Sequence, residues 1–121
     1  MDADKQSCSL GVDSDYVELA VELFGMLADA TRVRIILALR DEELSVNLLA
    51  DIVDKPPATV SQHLAKLRLA RIVLTRHQGT RVFYRLANEH VRQIVADAVF
   101  QAEHSLADTP RHHQLEMRSR P

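Results

Sequence analysis

The stretch from Pro57 to Leu86 constrains the fold most, because a helical pattern is followed there directly by two β patterns. Up to about Ala70, apolar residues recur at the spacing of one buried helix face. This face consists of Val60, His63, Leu64 and Leu67. The opposite face carries mostly small and polar residues, namely Thr59, Ser61, Gln62, Ala65, Lys66 and Arg68. Such a helix, placed after another short helix and a tight turn, predicts a helix-turn-helix.

Two β patterns follow this helix, over residues 72–77 and 80–86, with Gln78-Gly79 between them. In the second pattern, Val82, Tyr84 and Leu86 alternate with residues of the opposite face, which is the periodicity of a strand. The pair predicts a β-hairpin that stands beside the helix-turn-helix as a wing. The residues expected near its tip are Arg76, His77, Gln78, Thr80 and Arg81.

Helical spacing of apolar residues predicts further helices on both sides of this stretch. The first runs from Asp15 to Leu27, the second ends near Arg40, the third runs from Ser45 to about Val53, and the last runs from Asn88 to about Leu106. On the third, the residues expected to face inward are Leu48, Leu49 and Ile52. The predicted fold class is mainly α with a β-hairpin wing, a winged helix-turn-helix in the order α-α-α-α-β-β-α.

The chain of 121 residues has room for one domain. We expect a flexible arm over residues 1–14, a folded domain over 15–106 and a C-terminal tail over 107–121. No stretch approaches the ~20 apolar residues of a membrane span, and the start of the chain lacks the regions of a signal peptide. The single cysteine, Cys8, excludes an intrachain disulfide and favours a reducing, cytoplasmic location.

Charge is distributed very unevenly along the chain, although the net charge is only −2. Residues 1–54 carry a net charge of −8, residues 55–85 carry +7 without a single acid, and residues 86–121 carry −1. The acid-free segment coincides with the predicted helix-turn-helix and wing. These basic residues could be ordinary solvent-exposed charges without a binding role. Their coincidence with the helix-turn-helix and wing favours instead a surface that binds the phosphates of DNA.

The outward face of the helix and the wing tip provide the side chains that a DNA contact needs. Gln62 can pair with adenine through two hydrogen bonds, and Ser61 and Thr59 can reach bases or phosphates. Basic residues supply attraction to phosphate that does not depend on sequence. The candidate phosphate contacts are Lys66, Arg68, Arg76 and Arg81, with His77, Gln78 and Thr80 beside them at the wing tip.

His63 is open to two interpretations. It lies on the recognition-type helix and could read a base. Its spacing to Val60, Leu64 and Leu67 favours instead a packed, hydrogen-bonded histidine.

Three runs of sequence resemble the ArsR/SmtB family of metal-sensing repressors. They are Leu27-Ala28-Asp29-Ala30-Thr31-Arg32, Val60-Ser61-Gln62-His63-Leu64-Ala65-Lys66-Leu67, and the run from Gly79 to Tyr84-Arg85-Leu86. The resemblance covers about residues 15–106. It implies a winged-helix homodimer, joined through its first and last helices, that binds an inverted-repeat operator without effector and is released by metal. Such repressors commonly control efflux or detoxification genes.

The resemblance also indicates where a metal would bind. Thiolate sensors of the family carry a Cys-x-Cys pair in the third helix, where this chain has Ser45 and Asn47. At the positions of the usual zinc set this chain has Asn88, His90, Gln101 and His104, and two of these differ from it. The last helix and tail resemble instead the nickel- and cobalt-sensing branch. Its ligands correspond to His90, Glu103, His104, His112 and His113. The implied effector is Ni(II) or Co(II), with Zn(II) possible.

Helix geometry places a further condition on this site. His90 and His104 are fourteen residues apart, hence about 21 Å apart along one helix but within ~40° of the same face. They cannot share an ion within one protomer. Two antiparallel copies of the helix would bring His90 of one chain beside Glu103 and His104 of the other, giving two symmetric sites across a dimer.

Three other functions remain open at this point. A winged-helix repressor could respond to redox state or to a small organic molecule, with Cys8 as the only thiol. A metal-buffering protein could use the histidines for storage, although it would leave the acid-free segment without a purpose. An enzyme is disfavoured, because the sequence shows no nucleophile–base spacing, phosphate loop or paired carboxylates.

Overall fold

The computed structural model describes residues 10–107, which form five α-helices and one three-stranded antiparallel sheet. In chain order the elements are α1 (Val17–Leu27), α2 (Ala30–Ala38), β1 (Leu44–Ser45), α3 (Val46–Val53), α4 (Pro57–Leu69), β2 (Val73–Gln78), β3 (Arg81–Leu86) and α5 (Glu89–Ala107). The predicted order is confirmed, with β1 as an additional element. Most of the expected arm and tail, with Cys8, His112 and His113, lies outside the described residues. No helix within the described range is long and apolar enough to cross a membrane.

The sheet has the strand order β1-β3-β2. β1 pairs Leu44 with Tyr84, and the hairpin pairs Gln78 with Arg81. The turn is therefore Gly79-Thr80, and the predicted separation at Gln78-Gly79 was wrong by one residue. Gly79 has a φ of 63°, and glycine adopts this conformation without the steric cost of a Cβ.

The core lies between helices α2 to α5 and the inner face of the sheet. Its fully buried side chains are Ile35, Ile36, Leu49, Val60, Leu64, Leu67, Ile72 and Val73. The set includes three of the four residues predicted for the inner face of α4. Burial of this apolar face is what fixes the rotation of α4 and turns its polar face outward.

Side-chain caps mark the starts of α3 and α5, where the sequence predicts that these helices begin. The Ser45 hydroxyl accepts a hydrogen bond from the backbone N–H of Leu48 at 3.4 Å, at the start of α3. The Asn88 side chain accepts one from the backbone N–H of His90 at 2.9 Å, at the start of α5. Each cap gives a partner to a backbone donor that the helix itself cannot satisfy.

The predicted inner face of α3 is confirmed at Leu49 and wrong at Leu48 and Ile52. Leu49, Ala50 and Val53 are its buried residues, whereas Leu48 and Ile52 are 47% and 53% exposed. Both sets have helical spacing, and eight residues are too few for the pattern to decide between them. Contacts with α2 and α4 fix the rotation instead.

Apolar side chains remain exposed on α1 and on the second half of α5. They are Val17, Leu19, Val21, Phe24, Val99, Phe100 and Leu106. On α5 the apolar stripe is buried at Val91 and Val95 and then continues into exposed residues. A helical stripe that continues beyond the core is typical of a surface that another chain covers.

The end of α4 carries an unusual backbone conformation. Arg71 has a φ of 60°, its N–H donates to the carbonyl of Arg68, and the N–H of Ile72 donates to the carbonyl of Leu67. These bonds form a Schellman motif, in which the left-handed position is usually glycine.

Arg71→Gly is therefore expected to raise the free energy of unfolding by about 0.5–1 kcal/mol, because it removes the steric cost of a Cβ in the left-handed region. Urea denaturation at a fixed protein concentration measures the change. Ala70→Gly is the matched control, since Ala70 has a φ of −79° and glycine there is expected only to destabilise. An Arg71→Gly protein less stable than the unaltered one would contradict the prediction.

Candidate DNA interface and metal-ligand residues

The outward face of α4 presents the predicted base-reading residues to solvent. Ser61, Gln62, Lys66 and Arg68 are exposed, and Thr59 is half-buried. Gln62 and Lys66 lie one helical turn apart and therefore on the same side of the helix. Pro57 occupies the first turn of α4, where a backbone N–H would have no helical partner. The start of α4 therefore leaves no unpaired N–H at Pro57, and the polar face of the helix is exposed to solvent.

His63 is packed rather than presented to solvent. Its side chain is 19% exposed, and its Nδ1 accepts a hydrogen bond from the Arg32 guanidinium Nε at 3.1 Å. Arg32 also donates to the backbone carbonyl of Met26 at 3.1 Å. Arg32 thus ties the end of α1 to α4. The contacts support the packed interpretation of His63 over the role of base reader.

Asp29 caps α2 beside this histidine. The backbone N–H of Arg32 donates to the Asp29 carboxylate at 3.0 Å. This hydrogen bond lowers the pKa of Asp29 below its ordinary value of 3.8, against an opposing effect of burial, and the nearby His63 and Arg32 side chains lower it further. Because the pKa is lower in the folded state, the cap stabilises the fold above about pH 4 and loses this effect in acid.

The outer face of the sheet carries an arginine strip. Residues opposite each other in antiparallel strands share a face, so the pairs Leu74–Arg85, Arg76–Phe83 and Gln78–Arg81 lie together. On the other face, Val73 and Leu44 belong to the buried core. Arg76, Arg81 and Arg85 therefore line one exposed surface, which runs from the root of the wing to its tip.

The five residues predicted near the wing tip are all exposed, namely Arg76, His77, Gln78, Thr80 and Arg81. Arg76 differs from the others because it makes several contacts. Its Nε donates to the Glu43 carboxylate at 2.8 Å, and another of its nitrogens donates to the Gln78 side-chain oxygen at 3.2 Å. Sequence reasoning missed Glu43, since it is 33 residues from Arg76 and no local pattern relates the two.

The candidate metal ligands His90, Glu103 and His104 are exposed on one continuous helix, α5. Within residues 10–107 of a single chain, no group of three or more His, Cys, Asp or Glu side chains lies close enough to hold a metal. Imidazole and carboxylate donors suit Ni(II), Co(II) or Zn(II). The donor chemistry fits such an ion. His90 lies too far along α5 from Glu103 and His104 to share an ion with them in one chain, so a complete site needs ligands from outside this helix.

The position matching a thiolate site has another role. The Ser45 hydroxyl caps α3, so this position serves the fold. At the start of α5, Arg92 pairs with Glu89 at 3.5 Å and with Asp41 of the loop before β1 at 3.1 Å. These ion pairs join the first turn of α5 to that loop.

A helix-turn-helix formed by α3 and α4, followed by the β2–β3 hairpin, defines a winged helix-turn-helix protein. Residues 29–75 match the family described as "Bacterial regulatory protein, arsR family". The chain belongs to this ArsR/SmtB family of transcription regulators, and the resemblance of its motifs to the family is confirmed.

Three relatives place the chain within the family. It is 63% identical to the HTH-type transcriptional regulator KmtR of Mycobacterium tuberculosis over 100 residues, which cover 83% of this chain and 77% of that protein. It is 40% identical to the HTH-type transcriptional repressor SmtB of the same species over 88 residues, which cover 73% of this chain and 65% of that protein. The homodimeric winged helix-turn-helix DNA-binding domain Mb0332 of Mycobacterium bovis superposes with a TM-score of 0.64 at 27% identity, covering 77% of this chain and 89% of that one.

Proposed function

We propose that the protein is a metal-responsive transcriptional repressor, which binds operator DNA as a homodimer and is released when it binds Ni(II) or Co(II), with Zn(II) as a further candidate. The observation that carries the proposal is the coincidence of three features in residues 55–85. This segment has a net charge of +7 without an acid, it forms the exposed polar face of α4, and it forms the wing.

In this proposal α4 lies in the major groove and the wing lies along the phosphate backbone. Gln62 reads a base, while Ser61 and Thr59 contact bases or phosphates. His63 supports α4 from behind through Arg32. The phosphate contacts come from Lys66, Arg68, Arg76 and Arg81, with His77, Gln78 and Thr80 at the wing tip.

The dimer would form through the exposed apolar surfaces of α1 and α5. The relative of M. bovis with this fold is homodimeric, which supports a dimer but does not specify its interface. A two-fold dimer presents its recognition helices about one DNA turn apart, which matches an inverted repeat. The domain would then span residues 15–106, with an arm before it and a tail after it.

The metal ligands would be shared between protomers. His90 of one chain would bind together with Glu103 and His104 of the partner subunit, and His112 and His113 of the tail would complete the set. A bound ion supplies a cross-link between the two α5 helices. Fastening these helices favours a dimer geometry that fits successive major grooves poorly, and linkage requires DNA to weaken metal binding by the same factor. Release would derepress genes of metal efflux.

The proposed binding to operator DNA is tested by selecting DNA duplexes from a random pool and measuring the affinity of the protein for them by fluorescence anisotropy. Gln62→Ala is expected to weaken discrimination at one base pair by about 1–3 kcal/mol and to leave the salt dependence unchanged. Lys66→Ala, its neighbour on the same face, is expected to weaken binding to every duplex and to lower the salt slope by about one.

Failure to enrich any sequence, with no salt-dependent binding, would overturn the proposal and favour a metal-buffering protein. A repressor that responds to a redox or organic effector would instead bind DNA normally and ignore metal. Addition of Ni(II), Co(II) and Zn(II) to the selected complex separates these two outcomes.

A further inference from the structure

Glu43 is an acidic residue that lies directly against the basic wing. It precedes Leu44, whose side chain is buried beneath the sheet, and successive side chains of a strand point to opposite faces. The Glu43 side chain therefore lies on the outer face, with the arginine strip. It is 30% exposed, its Oε1 accepts a hydrogen bond from Arg76 Nε at 2.8 Å, and its Oε2 lies 3.9 Å from Arg85 Nε.

Arg76 is held from several directions at once. Glu43 binds one edge of its guanidinium, Gln78 accepts from another nitrogen, and the group lies over the Phe83 ring at 4.9 Å from the centroid. A guanidinium has more N–H donors than these contacts use. Arg76 therefore keeps donors for a phosphate while its orientation is already fixed.

Charge alone gives Glu43 no favourable role in DNA binding, because a carboxylate on this face repels phosphate. Its geometry gives it one. An arginine that is already oriented loses less side-chain freedom on binding than a mobile one, and this difference appears as affinity.

We propose that Glu43 is a positioning residue for DNA binding, which orients Arg76, and Arg85 more weakly, on the outer face of the wing. The proposal rests on the proposed contact of the wing with DNA. It predicts that removal of this negative charge weakens DNA binding. Electrostatic repulsion alone predicts that the same removal strengthens DNA binding.

The test compares Glu43→Gln with Glu42→Gln by fluorescence anisotropy on the selected operator. Both substitutions remove one negative charge from the same loop, but Glu42 is exposed and makes no ion pair with another residue in the described part of the chain. Glu43→Gln is expected to lower operator affinity about fivefold to tenfold. Glu42→Gln is expected to leave it unchanged or to raise it slightly.

A double-mutant cycle separates positioning from a general loss of structure. In the Arg76→Gln background, Glu43→Gln is expected to cause little further loss, because its partner is already absent. Thermal midpoints should match that of the unaltered protein, since exposed ion pairs contribute little to stability. Arg76→Lys keeps the charge, loses the planar fork, and should reproduce the loss of affinity even if Glu43→Gln folds poorly.

Operator binding by Glu43→Gln that equals or exceeds that of Glu42→Gln overturns the positioning role. Full affinity of Arg76→Lys does so as well. If the unaltered protein binds no operator, the proposed function fails first, and that result is recognised without any variant.

Discussion

Phe100→Glu is expected to convert the proposed dimer into a monomer and to lower its affinity for operator DNA by at least about 100-fold. Phe100 is 62% exposed on α5, next to the exposed Val99, and Phe24 is 59% exposed on α1. A dimer formed through these helices buries the ring, whereas glutamate at this position would place an unpaired charge in an apolar interface. A monomer contacts only one half-site of the operator. It therefore loses the additional affinity that a dimer gains by binding both half-sites at once.

Sedimentation equilibrium measures the oligomeric state, and fluorescence anisotropy measures operator affinity at the same concentrations. Leu69→Glu is the control for oligomeric state. Leu69 is 86% exposed at the end of α4, so this substitution introduces the same charge outside α1 and α5. It should remain dimeric. A Phe100→Glu protein that stays dimeric at micromolar concentration would show that this surface is not the interface.

Much of the fold could be predicted because its signals are local. The inner face of α4 repeats within one helix, and the caps Ser45 and Asn88 each bond within three residues of themselves. Alternation within β3 predicts a strand without knowledge of its partners. These features depend on the chain over a few residues, which is the range that a sequence pattern can report.

The features that were missed depend on contacts between distant residues. β1 has two residues and exists only because β3 pairs with it. The rotation of α3 is decided by its neighbours, since Leu48 and Leu49 fit the spacing equally well. The same holds at the candidate site. Glu43 is 33 residues from Arg76, and the Arg32 contact that decides between the interpretations of His63 spans 31 residues.

The proposed metal site depends on the sequence differently, because its candidate residue types are evident in the chain but the proposal draws them from two protomers. Binding of Ni(II) or Co(II) is expected to release the protein from its operator by lowering operator affinity about 100-fold. Such a loss corresponds to roughly 3 kcal/mol of coupling free energy, which is within the usual range for allosteric proteins. His90→Ala and His104→Ala are each expected to abolish this release while operator affinity without metal stays unchanged. Neither residue lies on α4 or the wing.

Anisotropy of the operator complex, titrated with Ni(II), measures the response. His77→Ala is the control histidine, since His77 is exposed at the wing tip and its loss should leave release by metal intact. Variants at His90 and His104 that still release at the same Ni(II) concentration would show that the site is elsewhere. A complex of the unaltered protein that ignores Ni(II), Co(II) and Zn(II) would show that the protein does not sense these metals.

Mixing the two variants tests whether ligands come from both protomers. In a mixed dimer, one site lacks both histidines, and the other pairs the intact His90 of one chain with the intact His104 of its partner. Subunit exchange should therefore restore one complete site in about half of the dimers, and Co(II) absorption should reappear in proportion. Ligands drawn from a single chain would give no recovery, because each chain in the mixture lacks one of the two histidines.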